Sequence, residues 1–222
     1  MPGSFEDGEP SAHSSYESYT KTAGAYDSTR TPVGLSILID CLSGSATPLK
    51  HQRILDAGCG TGSYLYALKD IAGSLVGLDG SREMLTQAAQ KCGSAPNVTL
   101  EEGSILTLRF QDHAFDGVMI NQVLHHLDTA SDFQQLRQCI GEIFRVLKPT
   151  GALCVNTCSR EQLNAQGPIW YYQVFPEAAA FIAPLQELRK SIKDRSIYAI
   201  IAQSERLRER QGQYVVITAR KP

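Results

Sequence analysis

The 222-residue chain predicts a doubly wound α/β fold, a mostly parallel sheet covered by helices on both faces. Two observations carry the prediction. Strand-like and helix-like stretches alternate five times, and the strands read as near-continuous apolar runs, the pattern of strands buried on both sides.

The elements follow in order. Residues 1–15 are polar and rich in Gly, Pro, Ser and acids, too poor in apolar surface to offset the entropy of ordering them, and are expected to form a disordered tail ahead of one domain over 16–222. "VGLSILIDCLSG" spaces Val33, Leu35, Ile37, Leu38 and Leu42 for a helix ended at Gly44. "RILDAG" is a short apolar strand, and "SYLYALKDIAG" resumes helical spacing through Leu65, Leu68 and Ile71 up to Gly73. "SLVGLDG" gives a second strand; "SREMLTQAAQKC" follows as a helix with Ser81 as N-cap, running to Gly93. "NVTLEEGS" is the third strand and "FDGVMINQV", after a turn at "QDHA", the fourth. Apolar residues at 133, 136, 140, 143 and 147 then mark a helix closed by Pro149, and "GALCVNTC" is the fifth strand. In such sheets a ligand sits outside the carboxyl ends of the strands, where strand order reverses.

Composition narrows the function. With 21 Lys and Arg against 23 Asp and Glu there is no basic field to draw nucleic acid, and no basic amphipathic stretch for a membrane surface. The N-terminus lacks the basic and apolar regions of a secretory signal, and no uncharged apolar run is long enough to span a bilayer. A soluble, cytoplasmic protein is expected, of open oligomeric state. The six cysteines, Cys41, Cys59, Cys92, Cys139, Cys154 and Cys158, lack the paired short spacing of a zinc site and read as reduced thiols, so no metal is expected.

The stretch "RILDAGCGTGSY" carries the chemistry. Its glycines, Gly58, Gly60 and Gly62, form GxGxG, and Ser63 stands where a dinucleotide fingerprint has its last glycine. Asp56, two residues before the first glycine, would repel a pyrophosphate and suit an ammonium or sulfonium cation. Asp79, at the end of the second strand and 19 residues beyond Gly60, has the spacing at which an acid accepts both hydrogen bonds of a ribose diol. A cation at one end and a nucleoside at the other describe S-adenosylmethionine.

At this point "ILDAGCGTG", "GLDGSREML", "FDGVMINQVLHHL" and "EIFRVLKPTGAL" resemble, in order and at the right strand ends, the motifs of class I SAM-dependent methyltransferases, most closely the small-molecule type. The resemblance spans about Tyr16 to Ser159 and implies a Rossmann-like seven-stranded sheet with the last strand antiparallel, and methyl transfer from a sulfonium to a small-molecule acceptor. It implies that Asp56, Gly58, Cys59, Gly60 and Gly62 line the methionyl part of the cofactor, and that Asp79, with Gly80 beside it, holds the ribose. Met84 would lie on the adenine face, and Ser104 and Ile105 at the adenine edge, where the family often has an aspartate. Asn121, Gln122 and Val123 would lie beneath the sulfonium. Tyr26 and Arg30 resemble an N-terminal lid whose guanidinium could hold the methionyl carboxylate.

Several readings stay open. Tyr16, Tyr19 and Tyr26 form either an aromatic lid over the sulfonium or plain helix packing. Trp170, Tyr171, Tyr172, Phe175 and Phe181 line either an acceptor pocket or a core or dimer face. His125 and His126 are weak candidates for a catalytic base and equally suit a strand-end cap lining the cofactor site; an in-line methyl displacement needs no obligatory base. In the tail "QYVVITARK" is a convincing final strand, whereas "SIYAIIA", followed by helix-like "AQSERLRERQG", is the only apolar candidate for a sixth, so that strand is expected to be in question and the tail to be short for the family. Beside an active methyltransferase stand a SAM-binding but inactive or regulatory protein with an incomplete C-terminal part, and an NAD-dependent oxidoreductase, which Ser63 and Asp56 oppose.

Overall fold

The computed structural model describes residues 32–127, 132–159, 184–193, 198–202 and 215–222. The expected tail, the lid residues Tyr26 and Arg30, the tyrosines Tyr16 and Tyr19 and the aromatic segment holding Trp170, Tyr171, Tyr172, Phe175 and Phe181 lie outside the described residues. In chain order the elements are α1 (Leu35–Ser43), β1 (Arg53–Ala57), α2 (Ser63–Leu68), β2 (Ser74–Asp79), α3 (Arg82–Cys92), β3 (Val98–Glu102), β4 (Phe115–Asn121), α4 (Gln134–Val146), β5 (Leu147–Thr157), α5 (Leu185–Lys193), β6 (Tyr198–Ala202) and β7 (Val215–Arg220). They build one seven-stranded sheet in the order β3-β2-β1-β4-β5-β7-β6. The pairs β1–β2, β2–β3, β1–β4 and β4–β5 are parallel, and β7 runs antiparallel to both β5 and β6.

Strand periodicity sorts side chains between the two faces. Leu55, Val76, Val118, Ile120, Leu153 and Ile217 pack under α4 and α5 with Ile140, Ile143, Phe144, Leu188 and Ile192. Ile54, Leu75, Met119, Cys154 and Val216 pack on the other face with Leu38 and Leu42 of α1 and Leu65 and Leu68 of α2. Every residue of β4 is buried, which is why its sequence shows no alternation. Each fully buried aliphatic side chain contributes roughly 1.5–3 kcal/mol, so these two layers dominate the stability of the sheet.

Local signals set most boundaries. Ser81 caps α3 by accepting a hydrogen bond from the Met84 amide, and Gly93 ends it with a positive φ. The Gly44 amide closes α1 on the Asp40 carbonyl. The helix expected up to Gly73 instead ends at Leu68, leaving Ile71 exposed. Tertiary bonds stop it: the Gly73 and Ser74 amides donate to Leu49 O and Gln52 O, and the Asn97 side-chain amide takes up Lys69 O and Ala72 O. The helix expected to close at Pro149 ends at Val146, and Leu147 already pairs with Phe115 as the first residue of β5. Residues 148–151 then form an irregularity, because the next paired residues are Gly117 and Ala152.

Two findings concern the C-terminal part. The spacing of Leu188 and Ile192, both buried, reveals α5, an element missed in the sequence. The doubt over a sixth strand is corrected: Tyr198–Ala202, inside the one apolar candidate, pairs with β7 from Tyr198 opposite Arg220 to Ala202 opposite Val216. A five-residue edge strand with a single neighbour needs little length, and this one leaves little signal.

Candidate active site

The strand order reverses between β1 and β4, and the carboxyl ends of these strands and of β2 bring together most of the residues singled out above. Register explains the stagger of the two acids. Asp56 lies opposite Gly77, so Asp79 stands two residues further toward the open end of the sheet.

After β1 the chain turns back on itself. Gly58 and Cys59 both donate their amides to Leu78 O, at 2.7 and 2.9 Å. Gly58 has φ 82°, and a Cβ there would collide with Val123 Cγ2, so Val123 after β4 packs directly on bare backbone. Gly60 has φ 53°, and nothing lies within 4 Å of where its Cβ would be; at this point the loop presents naked backbone to open space. A Cβ on Gly62 would stand 3.0 Å from Ala88 Cβ, which lets α2 approach α3 closely. That is the packing role for which a dinucleotide fingerprint keeps its last glycine, here moved one residue forward.

Asp79 is held in place by the loop. Its carboxylate accepts the Gly60 amide at 2.8 Å through one oxygen and the Ser81 amide at 2.9 Å through the other, so the acid, the glycine turn and the start of α3 form one unit. Gly80 between them is exposed, while Met84 in the first turn of α3 is 2 % exposed. Beyond β3, Gly103 donates to Asp79 O, Ser104 accepts the Leu106 amide through its hydroxyl at 3.1 Å, and Ile105 is buried.

Asp56 is the most unusual group. It is 1 % exposed; the Asn121 side-chain amide lies beside its carboxyl without closing a hydrogen bond of ordinary geometry, and neither group has another partner among the described residues. Burial pushes its carboxyl up to about 7, against the favourable Asn121 amide and with the added repulsion of Asp79. Buried polar groups are almost always paired, so this set is the mark of a place where a ligand or ordered water completes the bonding. Cys59 is buried too, and burial holds its thiol well above the ordinary range.

The end of β4 carries a polar network that sequence reasoning missed. Gln122 takes a left-handed conformation (φ 57°) and donates its amide to Asn156 O at 2.8 Å. The Asn156 Nδ2 donates to Val33 O at 2.9 Å and to Tyr64 Oη at 3.2 Å, while Tyr64 Oη accepts the Val33 amide and donates to Val33 O. The segment entering α1 is thereby tied to α2 and β5. The available signal was Asn156 itself, a polar residue inside the apolar run "ALCVNTC". His125 and His126 follow in a short 3₁₀ turn, their rings tilted 42° to each other with centroids 4.1 Å apart; His125 is buried. Among the described residues no group of three or more His, Cys, Asp or Glu is placed to hold a metal, and no helix is long and apolar enough to cross a membrane.

Comparison with known proteins agrees with this geometry. Residues 55–155 match the methyltransferase domain family Methyltransf_11. The chain is 36 % identical over 129 residues to the demethylmenaquinone methyltransferase of Lactiplantibacillus plantarum, covering 55 % of this chain and 52 % of the relative. It is 33 % identical over 153 residues to the enzyme of the same name from Bacillus licheniformis, covering 66 % and 61 %. The chain thus spans about half the length of these curated relatives. Among solved structures, a SAM-dependent methyltransferase from Aquifex aeolicus superposes with a TM-score of 0.62 at 19 % identity, over 85 % of this chain and 90 % of that one. Its four motifs in order and these matches make the chain similar over residues 55–155 to the methyltransferase domain family, and its strand order is that of the solved SAM-dependent methyltransferase.

Proposed function

We propose that the chain binds S-adenosylmethionine in the crevice outside β1, β2 and β4 and passes its methyl group to a small-molecule acceptor. The observation that carries this reading is the buried Asp56–Asn121 pair, which closes no hydrogen bond with the rest of the described residues, beside a glycine loop whose Gly60 faces open space. A carboxylate and an amide in want of partners fit a cationic amino-acid end, and a phosphate there would meet repulsion.

Each residue then has a task. Asp56 and Asn121 receive the methionyl end, which presses on backbone at Gly60, while Gly58 and Gly62 let Val123 and Ala88 pack against the loop that holds Cys59. Asp79, already oriented by the Gly60 and Ser81 amides, keeps oxygen lone pairs for a ribose diol. Met84, Ser104 and Ile105 line the adenine side, and Gln122 and Val123 close the floor beneath the sulfonium, with Tyr26 and Arg30 as the proposed lid. Once bound, the sulfonium supplies an electrophilic methyl group that needs only an in-line nucleophile. Positioning therefore does most of the work, and His125 and His126 line the site instead of serving as an obligatory base.

The acceptor class rests on the relatives, whose names specify demethylmenaquinone, a small molecule. The balanced charge of the chain and its six unbridged cysteines fit a cytoplasmic enzyme with no nucleic-acid partner. The inactive-binder reading drew on a missing sixth strand, and the sheet has that strand. Incubating the protein with methyl-labelled S-adenosylmethionine and small-molecule extract fractions tests the proposal. Label should enter an extract compound with wild type and not with Gly60→Ala; no transfer to any fraction by a protein that binds the cofactor would overturn the enzymatic reading.

A further inference from the structure

Away from the candidate site, one pair of cysteines stands apart from the rest. Leu38, Cys41 and Leu42 follow helical spacing on the face of α1 turned to the sheet, and Ala152, Cys154 and Val216 lie on the strand face beneath. The Cys41 Sγ reaches Leu153 O at 3.5 Å, next to Cys154 in the chain. Arg220 of β7, opposite Ala152 in register, folds across the same spot and donates from Nη2 to Cys41 O at 2.8 Å. Its Nη1 is buried with no hydrogen-bond partner among the described residues. Cys41 is half-buried, whereas Cys154 is 1 % exposed. The array is thus a reachable thiol, a shielded thiol and a guanidinium with a donor to spare.

The electrostatics divide the labour. The adjacent Cys154 thiol and the Arg220 guanidinium outweigh burial and hold Cys41 below the usual thiol range, while Cys154 is held well above it by its contact with Cys41 and by burial. The other thiols are shielded differently: burial raises Cys59 and Cys92 and pushes Cys139 up to about 12.

We propose that Cys41 and Cys154 are a redox-modifiable dithiol, with Cys41 the attacking and Cys154 the resolving sulfur, which a hydroperoxide converts into a disulfide joining α1 to β5. In the first step the Cys41 thiolate attacks the peroxide: an S–O bond forms, the O–O bond breaks, and hydroxide or alkoxide leaves with the electron pair. In the second, Cys154 sulfur attacks the sulfenic sulfur; the S–S bond forms, the S–O bond breaks, and the hydroxyl leaves as water with the Cys154 proton. The protein loses two electrons and the peroxide gains them. The new bond would pin α1, whose leading Val33 is already bonded to Tyr64 and Asn156 behind the candidate site.

The test treats the full chain with hydrogen peroxide, blocks remaining thiols with an alkylating agent and maps peptides without reduction. A Cys41–Cys154 linked peptide that dithiothreitol releases is expected. In Cys154→Ser, Cys41 should accumulate as a sulfenic acid that dimedone traps. If that variant does not fold, alkylation of untreated wild type decides: Cys41 should react about tenfold or more faster than Cys139, and Arg220→Gln should slow it several-fold while leaving Cys139 unchanged. Cys41 recovered reduced while other thiols oxidise, or indifferent to Arg220→Gln, overturns the proposal.

Discussion

The burial and the raised carboxyl of Asp56 turn one side chain into a pH signature. In the ligand-free protein the carboxyl keeps a proton that the unfolded chain releases above about pH 4. Its contribution to stability is therefore full below that pH and is lost as pH rises through about 7. Asp56→Asn should flatten this part of the profile of thermal midpoint against pH, which scanning calorimetry would read; an unchanged profile would place the titration elsewhere. Binding a cation has the opposite sign, since it needs the carboxylate. Affinity for S-adenosylhomocysteine should rise from about pH 6 to about pH 8, with proton release at the lower pH seen as a buffer-dependent enthalpy, and Asp56→Asn should cost about 1.5–3 kcal/mol of binding. Asp79→Ala removes the partner of the Gly60 and Ser81 amides as well as the proposed ribose contact, and should weaken binding by about 1–3 kcal/mol in the same assay.

The glycine loop makes its prediction at the scale of the element. Gly60→Ala meets no neighbour and costs only the left-handed strain of roughly 1–2 kcal/mol, so the variant should fold and fail to bind, its methyl filling the space reserved for the ligand. Gly58→Ala drives a Cβ into Val123 and should lose roughly 2–5 kcal/mol of stability, visible in urea unfolding whether or not ligand is present. Equal behaviour of the two would contradict the assigned geometry. This loop was legible in the sequence because local chemistry dictates it: glycines after an apolar strand, with Ser81 capping the next helix. The early end of α2 was not, because Gln52 and Asn97, distant in sequence, supply the bonds that stop it. Nor was the Asn156–Tyr64–Val33 network, which joins three separate elements and has no spacing to betray it.

For the molecule as a whole, the strand order decides what the C-terminal part does. The central strands were readable as apolar runs, whereas α5 and β6 were obscured by a polar stretch in which only Leu188, Ile192 and "YAIIA" carry the pattern. Both belong to the sheet and its cover, with β7 wedged between β5 and β6 and Ile217 fully buried in the core beneath α4 and α5. Ile217→Ala should accordingly cost about 2–5 kcal/mol in denaturant unfolding; a neutral result would mean that the C-terminal strands are not part of the cooperative unit. Calorimetric titration with S-adenosylmethionine, S-adenosylhomocysteine and NAD in parallel tests whether the β1–β2–β4 crevice takes a nucleoside carrying a cationic amino-acid end. Saturable binding of the first two, and none of NAD, is the predicted result. Binding of NAD alone, or of none of the three, would contradict it.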